Sequence, residues 1–425
     1  IVLAAETLTN IPHKIEGTNF TGSLIVGHTT TGSILSAIQN TGVGLGTLNA
    51  LTYGDDNVAL GYEAGGTITS GSDNVVIGSY AGDALTSGEG NVAIGHFALS
   101  AEDTNDANTA VGFESLKVLN AGAEAHNVAI GYQAGLALST GVDNVIIGSG
   151  AGDAVNSGAR NVLIGRNAGG ALTACNDTIA IGDDALSTLV GGSANIAIGH
   201  EALLAYARSN SPGEEGDIAI GHEAGKTMAA AGSASKFVLL GYQAGKVMTR
   251  SGASNSTVIG YQAGVAITSG NANTIIGSNA GDALETGDNN IIIGHGAAAS
   301  STSVDNEITL GDGDIATIRA QVTSISSLSD KRDKKDIEDS VYGLDFVDSL
   351  KPVTFEWDQR DGKRLGLKDV GFIAQDLQEV DDEYTRLVYE SNPERLEATY
   401  GRLIPIMAKA IQELSAKVKQ LENKK

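Results

Sequence analysis

Apolar and polar positions alternate on a fixed beat along most of the chain. Asn57-Val-Ala-Leu-Gly61, Asn74-Val-Val-Ile-Gly78 and Asn91-Val-Ala-Ile-Gly95 set its phase. The same glycine returns at 27, 44, 61, 78, 95, 112, 131, 148, 165, 182, 199, 221, 241, 260, 277, 294 and 311, most often 17 residues apart. Such a period marks a stack of repeats. Within a unit two apolar positions alternate, as Val75 and Ile77 do, which is the rhythm of a strand with one buried face. Gly78 and Gly82 flank a corner, and Thr86-Ser-Gly88 makes a return turn in which glycine can take positive φ. Each coil is therefore expected to hold two short strands and two turns. It closes its backbone ladder only by stacking on its neighbours. Seventeen such coils, at about 4.8 Å each, give a rod on the order of 80 Å.

Composition sharpens this picture. Of 425 residues 56 are Gly, about twice the usual share of roughly 7%, while aromatics make up only 4%. That mix suits many short strands joined by tight turns around small and β-branched residues. A core of Val, Ile, Leu and Ala inside one coil is thin, so three chains are expected to pack side by side. Cys175 is the lone cysteine, which excludes an intrachain disulfide framework and a thiolate metal site. No run of 18 apolar residues exists to span a membrane. Ile1-Val-Leu-Ala-Ala runs straight into Glu6 without a basic leader, and the absence of an initial Met suits a processed product or part of a longer chain. A net charge of −24 argues against nucleic acid as a partner, because phosphate neutralisation needs clustered Lys and Arg.

The grammar changes before Ser329. Residues 1–328 hold 10 Lys+Arg, 30 Asp+Glu and 51 Gly; residues 329–425 hold 17, 21 and 5. The expected organisation is a lead-in at 1–19, a repeat shaft at 20–315, a connector at 316–328, a small domain at 329–402 and a helix at 403–425. In that helix Ile404, Met407, Ile411, Leu414, Val418 and Leu421 are spaced 3, 4, 3, 4 and 3 residues apart, a heptad seam. Pro405 suits its first turn, and Glu413 is expected to pair with Lys417.

Candidate chemistry on the shaft is sparse. The position after the repeat glycine holds His28, His96, His200, His222 and His295, but Tyr62, Ser79, Phe113, Arg166 or Asp183 elsewhere. So variable a column reads as a surface, and neither a metal nor a cofactor is expected. The Asp-Asn pairs lack the Gly-Gly-x-Gly-x-Asp nonapeptide of calcium β-rolls. Three coils between Gly199 and Gly260 carry insertions, at Leu203–Gly216, Thr227–Lys236 and Val247–Ser256. Arg208, Lys226, Lys236, Lys246 and Arg250 lie there, half of the 10 basic residues of 1–328, and form a candidate patch for an anionic glycan.

The Asn-Val-Ala-Ile-Gly grammar of residues 20–315 resembles the β-roll heads of trimeric autotransporter adhesins and, more closely, repeats of phage fibre proteins. The second half carries a more specific likeness. Ser329-Asp330-Lys331-Arg332-Asp333-Lys334 is followed by Gly343-Leu-Asp-Phe346, Leu350-Lys-Pro-Val-Thr-Phe-Glu-Trp357, Gly371-Phe-Ile-Ala-Gln-Asp376 and Leu403-Ile-Pro405. This series resembles the intramolecular chaperone domain of phage endosialidases and other tail spikes.

The resemblance implies a fold class: mainly β, a trimeric β-solenoid of about 17-residue repeats, then a small α+β chaperone domain ending in a trimeric coiled coil. It also implies autoproteolysis at Leu328–Ser329, with Ser329 as nucleophile, Lys334 as general base, and Asp330 and Arg332 in support. A serine hydroxyl needs such a base, and a lysine serves once desolvation or nearby charge disfavours its ammonium form. The residues alone also leave Lys331 and Lys335 open; the spacing of the resemblance selects Lys334. The implied protein is a homotrimeric fibre of the virion, made in the host cytoplasm. Its implied partners are a virion tail or adaptor protein and a host-surface glycan or protein receptor. A non-viral surface adhesin with the same chaperone is the alternative. A glycan-degrading spike is a further one, but the shaft shows no paired carboxylates in a recurrent context.

Overall fold

In the computed structural model of the chain, the described residues are 13–15, 22–26, 35–122, 124–205, 216–228, 236–249, 255–315, 317–319, 329–359, 365–390, 394 and 396–424. The chain divides into two compact units, Ile1–Leu310 and Gly311–Lys425.

The first unit is a β-solenoid. Its 18 three-residue strands, β1 (His13–Ile15) and β2 (Leu24–Val26) through β18 (Ile308–Leu310), form one sheet. Every strand from β2 onward lies parallel and in register with the next coil's strand, as Val75↔Val92, Val76↔Ala93 and Ile77↔Ile94 do. β1 alone runs antiparallel, against β2.

Side-chain columns fill the interior, one residue per coil. The strand centre supplies Ala59, Val76, Ala93 and Ala129, the following turn supplies Ala64, Ala81 and Ala98, and the far side supplies Ile68, Leu85 and Leu138, all buried. Each buried leucine contributes about 1.5–3 kcal/mol. An asparagine column closes the fourth side. Asn74 Nδ2 donates to Gly88 O (2.8 Å) and Asn57 Oδ1 (3.0 Å), while its Oδ1 accepts from Asn91 N (2.9 Å). The buried amide of Asn74 is thus satisfied coil to coil, which removes the penalty of orphaned polar atoms.

Two details differ from the reading of the pattern. Among the described residues each coil holds one strand, not two; the remainder is mostly turn, with left-handed residues such as Asp73 (φ 58°) and Tyr80 (φ 57°) bending the chain. Moreover, Val75 and Ile77 are only half-buried, and it is Val76 between them that points inward. The interior has room for the Ala, Leu and Asn columns but not for two β-branched side chains more per coil. Gly78 does have positive φ (134°), and a Cβ there would lie 2.5 Å from Gly95 O. Gly88 adopts no positive φ and is needed for closeness instead, since a Cβ would meet Asn105 O at 2.5 Å.

The second unit is α+β. Helices α1 (Leu344–Ser349), α2 (Ala374–Gln378) and α3 (Leu403–Glu422) accompany two antiparallel pairs, β19 (Val353–Asp358) with β20 (Leu365–Gly371) and β21 (Val388–Tyr389) with β22 (Glu397–Ala398). Leu377, Leu387, Leu403 and Ile406 form its small core, with Phe346, Leu350 and Phe372 packed against them.

Candidate functional site

Asp330 organises the start of the second domain-like stretch. Its Oδ1 accepts from Arg332 N (2.8 Å), capping a single 3₁₀ turn at Lys331–Asp333. The Arg332 guanidinium returns to the same carboxylate (Nη2–Oδ2 2.6 Å), which holds the Asp330 carboxyl below its usual range and raises Arg332. This turn carries the chain around so that Lys334 Nζ donates to Ser329 Oγ at 2.6 Å. Ser329 and Lys334 are both exposed in the single chain. As ammonium, Lys334 donates across this contact; deprotonated, the same geometry lets it accept the serine proton. Leu328, the other side of the expected scissile bond, lies outside the described residues.

The later motifs build the scaffold behind this turn. Helix α1 begins at Gly343-Leu344, and Leu344 N donates to Glu413 Oε2 of α3 (2.8 Å). Glu413 therefore faces back toward α1 and Lys409 (3.8 Å) rather than forward to Lys417. Gly371 leaves room for Tyr400, whose hydroxyl accepts from Phe372 N at 3.1 Å. Asp381 closes the loop before β21 by accepting from Thr385 Oγ1 (2.6 Å), Leu387 N (2.7 Å) and Val388 N (2.9 Å). Tyr342 donates its hydroxyl to Asp382, so its own pKa is pushed up to about 12. Helix α3 has two apolar faces. Leu403, Ile406 and Ala410 are buried in its own unit, whereas the seam residues Ile404 (65%), Ile411 (66%) and Leu421 (64%) are exposed.

Residues 329–388 match the family described as chaperone of endosialidase. The match begins at Ser329 itself, and it supports an intramolecular chaperone role. No curated protein and no solved structure matches the chain.

The candidate basic patch on the shaft has a different character from its sequence. Lys226 Nζ lies 2.5 Å from Glu201 and 2.6 Å from Glu223, and Lys246 Nζ lies 2.8 Å from Glu223. Lys236 is exposed, while Arg208 and Arg250 lie outside the described residues. The sequence reading named the column after the repeat glycine but not the continuity it has in space. His96, Phe113 and Tyr132 stack at 5.5 and 5.4 Å, and so do the rings of coils 200–261. The recurrence of aromatics one residue after Gly was the available signal.

Proposed function

We propose that the protein is a homotrimeric virion fibre for host attachment, whose second unit nucleates trimer assembly and then cuts itself off at Leu328–Ser329. The observation that carries the cleavage reading is the 2.6 Å contact between Lys334 Nζ and Ser329 Oγ, at the first residue of the family match. Neutral Lys334 takes the hydroxyl proton, and Ser329 Oγ attacks the Leu328 carbonyl carbon. The C–N bond breaks as the Ser329 amine receives a proton. Water then hydrolyses the resulting ester, leaving a Leu328 carboxylate and a chain that starts at Ser329. Nucleophile and carbonyl belong to adjacent residues, so the attack needs no substrate pocket.

Trimerisation is supported by two apolar surfaces that lack a cover in one chain. One is the outward pair of each strand, including Leu60, Ile130, Ile220 and Ile293; the other is the α3 seam. Near-identical coils allow a slip of one unit that preserves most contacts, and a C-terminal nucleus sets the register before the shaft closes. Cleavage after assembly makes it irreversible.

Mass analysis of the wild type against Ser329→Ala and Lys334→Ala tests the reading. The wild type yields a fragment beginning at Ser329, and both variants stay full length. Identical products from all three remove the self-cleavage and leave the chaperone role standing.

A further inference from the structure

Four rings form the longest run of near-parallel stacked aromatics on the shaft surface among the described residues. His200 and His222 stack at 4.9 Å, His222 and Tyr242 at 5.2 Å, and Tyr242 and Tyr261 at 5.1 Å, with planes within 17° of parallel. Each ring comes from the residue after a repeat glycine, so the run climbs the shaft one coil at a time. Its faces are covered by neighbouring rings. What it presents outward is a row of ring edges and phenol hydroxyls, with Tyr261 half-exposed.

A second column runs beside the first, from the next residue in each coil. Gln262 Nε2 donates to Gln243 Oε1 (2.8 Å), Gln243 Nε2 donates to Glu223 Oε2 (2.6 Å), and Lys226 and Lys246 close on Glu223. The two carboxylates Glu201 and Glu223 are balanced by the two ammonium groups, so the strip carries no surplus charge. Charged side chains are poorly suited to the centre of a packed apolar interface, which separates this strip from the outward Val and Ile columns proposed to meet a second copy. The same three coils are those with the insertions between Gly199 and Gly260.

We propose that this strip binds an extended, uncharged polysaccharide laid along the shaft axis. The inference rests on the attachment function above and names its ligand class and its site. A ladder rise of about 4.8 Å per coil is close to the advance of one pyranose in an extended glycan, so successive sugars meet equivalent positions on successive coils. The positive edges of the rings complement hydroxyl lone pairs, and the planar amides of Gln243 and Gln262 supply both donors and acceptors. Internal pairing engages Lys226 and Lys246, two of the cations that an anionic glycan would need.

The test is native affinity electrophoresis of the full chain in gels containing, one at a time, a panel of neutral polysaccharides and a sulfated one. Wild-type protein is retarded by at least one neutral polymer, equally at low and high salt, since no net charge is involved. Tyr242→Ser with Tyr261→Ser weakens that retardation by at least about tenfold. Gln243→Ala, which leaves the ring stack in place, weakens it as well and guards against a folding defect in the double variant. Retardation by the sulfated polymer alone, unchanged in the variants, overturns the strip while attachment to glycans survives. Retardation by nothing in the panel overturns both.

Discussion

The backbone amide of Leu344 donates a 2.8 Å hydrogen bond to the carboxylate of Glu413, 69 residues further along the chain. It ties the start of α1 to the helix that carries the proposed trimer seam. Gly343 makes the approach possible, because a Cβ there would lie 2.3 Å from the carboxylate.

Replacement of Glu413 by Ala leaves the first turn of α1 uncapped. The expected loss is about 1 kcal/mol, read as a lower melting temperature of the helical signal at full chain length. Glu413→Gln keeps an acceptor and loses only the charge facing the helix start, so its shift is smaller. Equal melting of all three proteins would show that the contact carries no stability.

The two faces of α3 answer differently to a charge. Ile411→Asp and Leu414→Asp place carboxylates on exposed seam positions and are expected to convert the proposed trimer to monomers in light scattering, while far-ultraviolet dichroism of the unit persists. Ile406→Asp buries an unpaired charge in the unit's own core and abolishes its folding.

Glycines of the shaft separate by what surrounds them. In Gly78→Ala the new Cβ meets Gly95 O at 2.5 Å with φ at +134°, so both neighbouring coils must move. Gly90→Ala shares the positive φ (66°) but meets nothing within 4 Å. Thermal unfolding is expected to show a cost of about 1 kcal/mol for Gly90→Ala and several times that for Gly78→Ala.

Glu102 occupies the buried column that elsewhere holds Leu85 and Leu119. Its carboxylate accepts from Asp103 N (3.0 Å), Asn105 N (2.9 Å) and Asn105 Nδ2 (2.8 Å), yet burial pushes its pKa above the ordinary value. The folded state thus holds this proton more tightly than the unfolded state does. Its penalty is absent below the unfolded pKa and complete once pH has risen past the folded one. Glu102→Gln therefore melts higher than the wild type at neutral pH, and the gap closes on acidification. A gap that widens toward acid would contradict this assignment.

Much of the fold was legible because the period is long, regular and punctuated by glycine. The inward direction was not. Alternation in Val75-Val76-Ile77 reveals two faces without saying which is interior. The small residues at many strand centres, such as Ala59, Ala93 and Ala129, carried that information, since their flanking residues are the larger ones. The outward apolar pair is the surface proposed above to meet another chain, and a strand's alternation alone does not tell such a surface from an interior. At the candidate site Ser329 and Lys334 were named from the family resemblance, since the residues alone left Lys331 and Lys335 open as well. The orientation of Glu413 was not, since its partner lies 69 residues away and the nearer Lys417 competes in any helical reading. The basic patch failed to anticipate pairing because Glu201 and Glu223 are brought beside Lys226 and Lys246 only by the stacking of coils.

The asparagine column has a consequence for inheritance. Asn57, Asn74 and Asn91 make interchangeable contacts, each bonding upward and downward to a copy of itself. Loss of one 17-residue unit would bring Asn57 directly under Asn91 and leave every junction chemically intact. Reach is then a quantity that recombination between repeats adjusts in single steps of about 4.8 Å, with neither end of the molecule altered.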